Sequence, residues 1–307
     1  MNDIEKMMNE FQKYVEQHGG RADNEKDMDK LFGSFVSEYN ANLPQSKNAA
    51  PQTAYDYLDL AKEATSPKKK QEYLQKAVEL DPDNVDVQLE LIITSPEKKP
   101  CEHQKALENL IAKETKKLEK EGYFEDAGMF WGILETRPYM RLRMAYLDLL
   151  IHNGMIRCAI NEGNELLRLC ENDNLGVRYQ MMSLYALMED EENALKLHEK
   201  FENYDETQML LPLAILYYKL NQSEKAAGYL KRLSAVNKDT KSFLTDLAKD
   251  RIEDMLNGMD DEGYIADSYG ELQECLNNSM LLFASVPKFA TWAVENLPKR
   301  ATRSKKK

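Results

Sequence analysis

The sequence predicts an all-α protein built from antiparallel helix pairs arranged one after another. Three segments, 138–174, 175–206 and 207–239, each have the pattern of a helix, a turn and a second helix. The second helix of each pair opens with a small residue, and these residues, Ala159, Ala194 and Ala226, are 35 and 32 residues apart. Self-similarity at a period of roughly 20–50 residues is the signature of a solenoid.

Composition agrees with this fold class. Hydrophobic residues make up 42% of the chain and charged residues 31%, and there are 13 glycines among 307 residues. This balance suits helices that each keep one face in water, whereas a sheet protein would show more turns and more alternating β-branched residues. The net charge of −12 argues against non-specific binding to nucleic acid, which is not expected as a partner.

Residues 1–45 are predicted to form an N-terminal helical arm of two helices. Apolar residues recur at helical spacing in two stripes, Ile4, Met8, Phe11 and Val15, then Leu31, Phe32, Phe35, Val36 and Tyr39. The segment 42–50 has the composition of a linker. The arm can pack on its own chain or on a second copy, so self-association stays open.

Residues 51–120 are predicted to form the first helix pairs. A turn at Ser66-Pro67 leads into the second helix, and Pro96 and Pro100 break a second, irregular pair. Residues 121–137 form an aromatic connector that interrupts the period.

The three regular pairs then occupy 138–239, with predicted turns at 152–154, 189–192 and 220–223. C-terminal capping helices are expected over 240–298, as one helix from about 241 to 256, a polar turn at 258–263 and two final helices. The nine residues 299–307 include six basic ones and are expected to be a solvated, disordered tail.

The helix pairs resemble tetratricopeptide repeats, whose period is about 34 residues. Two longer stretches, Phe130–Arg141 and Glu171–Tyr179, are similar to paired signatures of a group of bacterial tetratricopeptide proteins of unassigned function. The second stretch also resembles a segment of the suppression-of-tumorigenicity-seven family. The resemblance covers about residues 50–235. It implies a repeat fold and an interaction role, and it supplies no catalytic residues.

In the register of such repeats, first helices line a concave groove that holds a peptide or helix of a partner. Seven residues are candidates for that groove: Arg141, Met144, Asp148, Tyr179, Ser183, Tyr218 and Lys219. Guanidinium groups there can bind a carboxylate or phosphate, and tyrosine rings add apolar area. On this reasoning a variant with Arg141→Glu and Tyr179→Ala loses its partner but keeps its stability.

A structural role is the competing interpretation for the nearby arginines. Arg137 and Arg178 can bind the acidic turn that contains Asp173 and so fasten one repeat to the next. Pro138 suits the first turn of a helix.

Motifs for chemistry are not found in the sequence. No phosphate-binding glycine loop or nucleophile elbow is present, and His198-Glu199 lacks the second histidine of a zinc-protease motif. The four cysteines are far apart, without a metal-ligand or disulfide pattern. We therefore expect no enzyme activity, no metal and no cofactor. No leader or membrane span is expected, so the cytoplasm is the expected compartment.

The leading functional hypothesis is a protein-binding adaptor or scaffold of the tetratricopeptide type. A self-associating structural scaffold is the first alternative. A regulator that responds to a peptide or nucleic acid is the second.

Overall fold

The computed structural model describes residues 3–18, 25–46, 51–95, 100–259 and 263–297, and within these ranges no β-strand is assigned. The prediction of an all-α protein is therefore confirmed. The chain divides into two compact units between Leu149 and Leu150, and each is described by itself. The predicted basic tail 299–307 lies outside the described residues.

Unit 1 contains six complete helices among its described residues and most of a seventh. They are α1 (Asp3–His18), α2 (Glu25–Ser46), α3 (Ala54–Glu63), α4 (Pro67–Leu80), α5 (Val85–Ile93), α6 (Pro100–Lys120) and α7 (Arg137–His152). α1 and α2 form the two helices predicted for the arm. The prediction of a linker over 42–50 is wrong for residues 42–46, because α2 continues to Ser46.

The first helix pair follows from local signals in the sequence. Thr53 and Asp56 form a capping box at the start of α3, in which each side chain accepts a hydrogen bond from the backbone N–H of the other, at 3.1 and 2.9 Å. Pro67 occupies the first position of α4, where its missing N–H costs nothing. The two helices bury Leu58 and Leu74 completely between them.

α5 begins at a second cap and connects to the rest of unit 1. The side-chain oxygen of Asn84 accepts a hydrogen bond from the N–H of Val87 at 3.1 Å. A second apolar cluster then joins α5, α6 and α7 through Val85, Leu107 and Leu142.

The aromatic connector is packed rather than loose. It contains two short 3₁₀ helices, Tyr123–Asp126 and Phe130–Gly132. Phe130 is fully buried, with its ring centroid 5.2 Å from that of Phe124 and 6.3 Å from that of Tyr139. The hydroxyl of Thr136 donates to the carbonyls of Phe130 and Ile133, so the connector is bound to the start of α7.

Unit 2 contains the remaining helices of the described chain. They are α8 (Ile156–Leu169), α9 (Val177–Met188), α10 (Glu191–Lys200), α11 (Thr207–Lys219), α12 (Ser223–Val236), α13 (Thr240–Ala248), α14 (Ile252–Asn257), α15 (Tyr269–Asn278), α16 (Met280–Ala284) and α17 (Phe289–Asn296). The single helix expected over 241–256 is broken after α13, where Asp250 has a φ of +57°.

The turns that precede α8, α10 and α12 are built alike. Each contains one residue with a positive φ, +69° at Gly154, +60° at Glu189 and +57° at Asn221. In each, the N–H of the next residue donates to the carbonyl five residues back: Met155 to Leu150, Asp190 to Tyr185, and Gln222 to Tyr217, at 2.8 to 2.9 Å. This is the Schellman pattern that ends a helix.

The small residues identified in the sequence have equivalent positions. Ala159, Ala194 and Ala226 are the fourth residues of α8, α10 and α12, and all three are fully buried. A larger side chain at Ala194 or Ala226 would separate the two helices of its pair, α9 from α10 or α11 from α12.

The last helices of unit 2 lie on the helices that open its pairs. α15 packs on α11 and α13, α16 on α9, and α17 on α13. As a result α11 is buried without interruption from Thr207 to Tyr217. The side-chain amide of Asn237, itself fully buried, donates to the carbonyl of Ser268 at 2.8 Å and so fixes the start of α15.

Candidate functional site

Arg141, the first of the predicted groove residues, is engaged inside unit 1. Its Nε–H and Nη2–H donate to the two carboxylate oxygens of Asp86 at 2.7 and 2.6 Å. The Asp86 side chain is 9% exposed and that of Arg141 24%. The Tyr55 hydroxyl also donates to Asp86, at 3.2 Å, and burial together with that carboxylate raises the pKa of Tyr55. This bidentate pair fastens α7 to α5.

Met144 and Asp148 lie further along α7. Met144 is half-buried and Asp148 is exposed. Arg137, the structural candidate at the start of the same helix, donates its Nε–H to the carbonyl of Trp131 at 2.8 Å and lies 5.5 Å from that ring. Within unit 1 it therefore fastens α7 to the aromatic connector.

Arg178 is the centre of a polar cluster in unit 2. Its guanidinium donates to Asp173 at 3.0 Å and to Glu206 at 3.0 and 3.3 Å, and it lies 4.1 Å from the centre of the Tyr179 ring. Glu206 is the residue that precedes α11. The cluster therefore joins the start of α9 to the start of α11.

Asp173 has a second task in the same cluster. Its carboxylate accepts the backbone N–H groups of Val177 and Arg178 at 2.7 and 3.1 Å, at the beginning of α9. A negative charge there is favourable because the helix dipole is positive at its N-terminus. Burial raises the pKa of Asp173, and the hydrogen bonds from Arg178 oppose that rise.

Tyr179 and Ser183 face groups of their own chain. The Tyr179 hydroxyl donates to Glu206 at 3.2 Å and also accepts from Arg178, and burial raises its pKa. Ser183 is 5% exposed and shares a hydrogen bond with the hydroxyl of Ser279, the residue before α16. A partner would reach Ser183 after α16 had moved.

Tyr218 and Lys219, at the end of α11, are engaged in the same way. The Tyr218 ring packs against Phe289 and Trp292 of α17, at centroid distances of 5.4 and 5.0 Å. The ammonium of Lys219 donates to the carbonyls of Ala186 and Leu187 at the end of α9. A cation there donates hydrogen bonds to carbonyls that have no partner within the helix. Its charge also interacts favourably with the negative end of the helix dipole.

These contacts change the expected stability of the variant with Arg141→Glu and Tyr179→Ala. Arg141→Glu would bring a second carboxylate against buried Asp86, and Tyr179→Ala would remove a ring from the Arg178 cluster. We therefore expect that variant to lose stability, so it is a poor reporter of binding. The sequence did not indicate the partners Asp86, Glu206 and Ser279, because nothing local distinguishes them from the other acidic and hydroxyl residues.

Unit 1 also contains a cavity of about 210 Å³ that the sequence did not indicate. Its lining combines carboxylates, an amide, two tyrosines and a lysine: Tyr55, Asp81, Asp83, Asn84, Val85, Glu114, Lys117, Leu118, Glu135, Pro138 and Tyr139. Asn84, Glu114 and Tyr139 are buried, whereas Asp81, Asp83 and Glu135 are exposed. An acidic depression of this kind attracts cations.

Comparison with known proteins gives no assignment. No family model matches the chain, and no curated protein matches it. The resemblance to tetratricopeptide repeats therefore stays a prediction. None of the helices in the described part of the chain is long and apolar enough to cross a membrane.

Proposed function

We propose that this protein is a non-catalytic interaction module, a tetratricopeptide-like adaptor that holds a peptide or helix of another protein. The observation that carries the proposal is the burial of α11 along its length by α9 and α12 together with α15. A helix that opens one of these pairs thus offers a face that accepts a further helix. The equivalent turns before α8, α10 and α12 support a repeat architecture.

The same observation decides where a partner is best sought. In unit 2 the chain's own α16 packs on α9 beside Ser183, and α15 packs on α11, while Tyr218 at the end of α11 packs against α17. In unit 1, α7 presents half-buried Met144 and exposed Asp148, two of the predicted groove residues. We therefore propose that unit 1 makes the first contact with the partner.

Affinity capture with matched surface variants tests this function. The test variant carries Met144→Glu and Asp148→Lys in α7. The control carries the same kinds of change in α10, Leu195→Glu and Glu192→Lys, where Leu195 is 37% exposed and the Glu192 side chain 77%. All three proteins are first checked for equal helicity and melting temperature.

The expected result is a protein from the native host that is retained by the wild type and the α10 variant and lost by the α7 variant. Cross-linking from position 144 should then map the partner segment to this helix. Identical captures by the α7 variant and the wild type would overturn the role of α7. Recovery of this protein alone, without a host protein bound to it, would favour self-association, the second candidate described below.

Self-association through the arm is the second candidate. Phe11, Tyr14, Phe32, Phe35 and Tyr39 form a cluster of aromatic rings between α1 and α2. Phe32 and Met28 are nevertheless 37% and 40% exposed. Apolar side chains of this kind can complete a helix bundle with a second copy. Light scattering of the full chain and of a variant without residues 1–45 measures the oligomeric state of each. An oligomer that survives the deletion would show that the arm is not the interface between copies.

A further inference from the structure

The N-terminal arm of unit 1, formed by α1 and α2, buries little of its apolar surface. Phe35 is the one buried side chain among those described on the two helices. In the shorter pair of α3 and α4, by contrast, Leu58, Ala61, Leu74 and Ala77 are all buried. Neither α1 nor α2 packs extensively on a third described element. The arm therefore has an apolar face that the described chain leaves open.

The side chains of this open face are aromatic rings and methionines. Phe32 is 37% exposed, although its ring centroid lies 5.0 Å from that of Phe11, and Met28 is 40% exposed. Met7 and Met8 of α1 are half-buried. Helices in proteins are stabilised mainly by burial of their apolar stripes, so a further helix packed on this face is favourable. Methionine side chains adapt to the shape of the helix that covers them.

The exposed carboxylates described on α2 border the apolar stripe. Successive residues of an α-helix are about 100° apart around its axis, so a residue next to an apolar position lies at the side of the stripe. Exposed Asp29 follows Met28, and exposed Glu38 precedes Tyr39. Exposed Lys30 comes two positions after Met28, on the opposite side of the helix. The apolar stripe of α2 is thus flanked by negative charge.

This charge pattern distinguishes between the possible occupants of the face. Glu10 lies beside Phe11 on α1 in the same way, and over the two helices the sequence contains eight acidic residues against four lysines. A second copy of the arm brings the same carboxylates to the same face, and like charges across an interface are unfavourable. A helix that has lysine or arginine beside its apolar stripe complements them instead.

We propose that the open face of the arm binds a basic amphipathic helix of a partner protein and so completes a three-helix bundle. Apolar side chains of that helix, one turn apart, pack on Met28 and Phe32. Its flanking lysine or arginine residues pair with Asp29 and Glu38. The inference rests on the proposed function, because the helix belongs to the partner of the adaptor, and it names the chemistry of the segment that is bound.

The test is fluorescence anisotropy of a labelled peptide titrated with the full chain. The probe is a peptide of leucine and lysine as long as α1, with one apolar stripe. The control peptide has the same composition in an order without a stripe. The arm charge variant carries Asp29→Lys with Glu38→Lys. Its matched control carries Glu72→Lys with Glu199→Lys, at two exposed carboxylates outside the arm, so both variants have the same net charge.

A second pair of variants tests the apolar contact. Phe32→Gln and Leu195→Gln replace side chains that are equally exposed, at 37%, on α2 and α10. Circular dichroism first compares the helicity and melting temperature of every variant with those of the wild type. The arm charge variant leaves the aromatic rings untouched, so it decides the outcome if Phe32→Gln unfolds the arm.

We expect saturable binding of the peptide with a stripe and much weaker binding of the control peptide. The arm charge variant should weaken binding about tenfold or more, because two attractive charges become repulsive. Its matched control should bind within about twofold of the wild type, since isolated exposed charges contribute little. Phe32→Gln should weaken binding about fivefold or more through lost apolar contact, and Leu195→Gln should leave it unchanged.

Equal binding by the arm charge variant and its matched control, equal binding of the two peptides, or the absence of saturable binding overturns the inference. A wild-type dimer that dissociates in Phe32→Gln, with no peptide bound, would assign the face to a second copy. These outcomes are separate from those of the capture experiment. A partner captured through α7 without peptide binding would leave the adaptor function and remove this site. Peptide binding without a captured protein would leave the site and count against the adaptor.

Discussion

Replacing Arg141 by leucine would test the bidentate ion pair that joins α7 to α5 in unit 1. The substitution keeps an apolar stem on α7 but removes both donors to Asp86. It leaves that carboxylate 9% exposed, with the Tyr55 hydroxyl as its remaining donor among the described residues. Asp86→Leu removes the other partner instead, and leaves a guanidinium that is 24% exposed.

The two variants should lose different amounts of stability, and the structure predicts which loses more. Removing one partner of a buried ion pair costs about 3–5 kcal/mol. We place Arg141→Leu at about 3 kcal/mol because its partner is nearly buried, and Asp86→Leu at about 2 kcal/mol because the longer arginine side chain can turn to water. The double variant should lose less than the sum, about 3 kcal/mol, since the nearly buried carboxylate is then no longer left without its guanidinium partner.

Differential scanning calorimetry measures these differences. At about 3 °C per kcal/mol for a unit of this size, Arg141→Leu should lower the melting temperature by about 9 °C. Arg232→Leu is the control, because its ion pair with Asp205 is exposed at 37% and 43% and should be worth less than about 1 kcal/mol. Equal losses in Arg141→Leu and Arg232→Leu, or additive losses in the double variant, would refute the reasoning.

Three further predictions follow from single positions in unit 2. Gly163→Ala should destabilise the protein, by about 1–3 kcal/mol as in an overpacked core, because a Cβ there would lie 2.1 Å from the sulfur of fully buried Met181. Gly228→Ala, in open space on α12, should instead stabilise it by up to about 1 kcal/mol, and urea unfolding compares the two. Burial lowers the pKa of His198, whose Nε2–H donates to the Tyr204 carbonyl at 3.1 Å beside Arg232, Asp205 and Glu206. The unfolded chain therefore binds the proton first as pH falls below about 6.5, and stability should fall there. Melting curves across this range should show a smaller loss for His198→Gln, which keeps the donor, and an equal loss would exclude His198 as the cause. Asn237→Ala should cost about 1–3 kcal/mol, because it removes the side-chain donor to the Ser268 carbonyl and the acceptor of the Asp239 N–H. Hydrogen exchange should then quicken most in α15, and uniform protection across unit 2 would contradict the proposed attachment.

Most helices and their turns could be predicted from the sequence because the signals that specify them are local. Pro67 at the start of α4, Gly154 after α7 and the buried alanines at the fourth position of α8, α10 and α12 act within a few residues of their own place. The break at Asp250 was missed. An aspartate with a positive φ gives no signal as strong as glycine or proline, and the apolar spacing runs through it.

The contacts of the candidate site could be predicted from the sequence only in part. Periodicity places Arg141 and Ser183 on helices, but it does not say what covers them. Arg141 is paired with a residue 55 positions away, and Ser183 with one 96 positions away.

The sequence by itself determined the fold class and the turns within the regular pairs, because hydrogen bonds and apolar periodicity within each helix are set by neighbouring residues. Only the tertiary structure decided which charges neutralise one another, and that α15 packs on α11 and α16 on α9. Those outcomes depend on the packing of helices that are distant in the chain, where many acidic and apolar residues are chemically equivalent until one arrangement buries them.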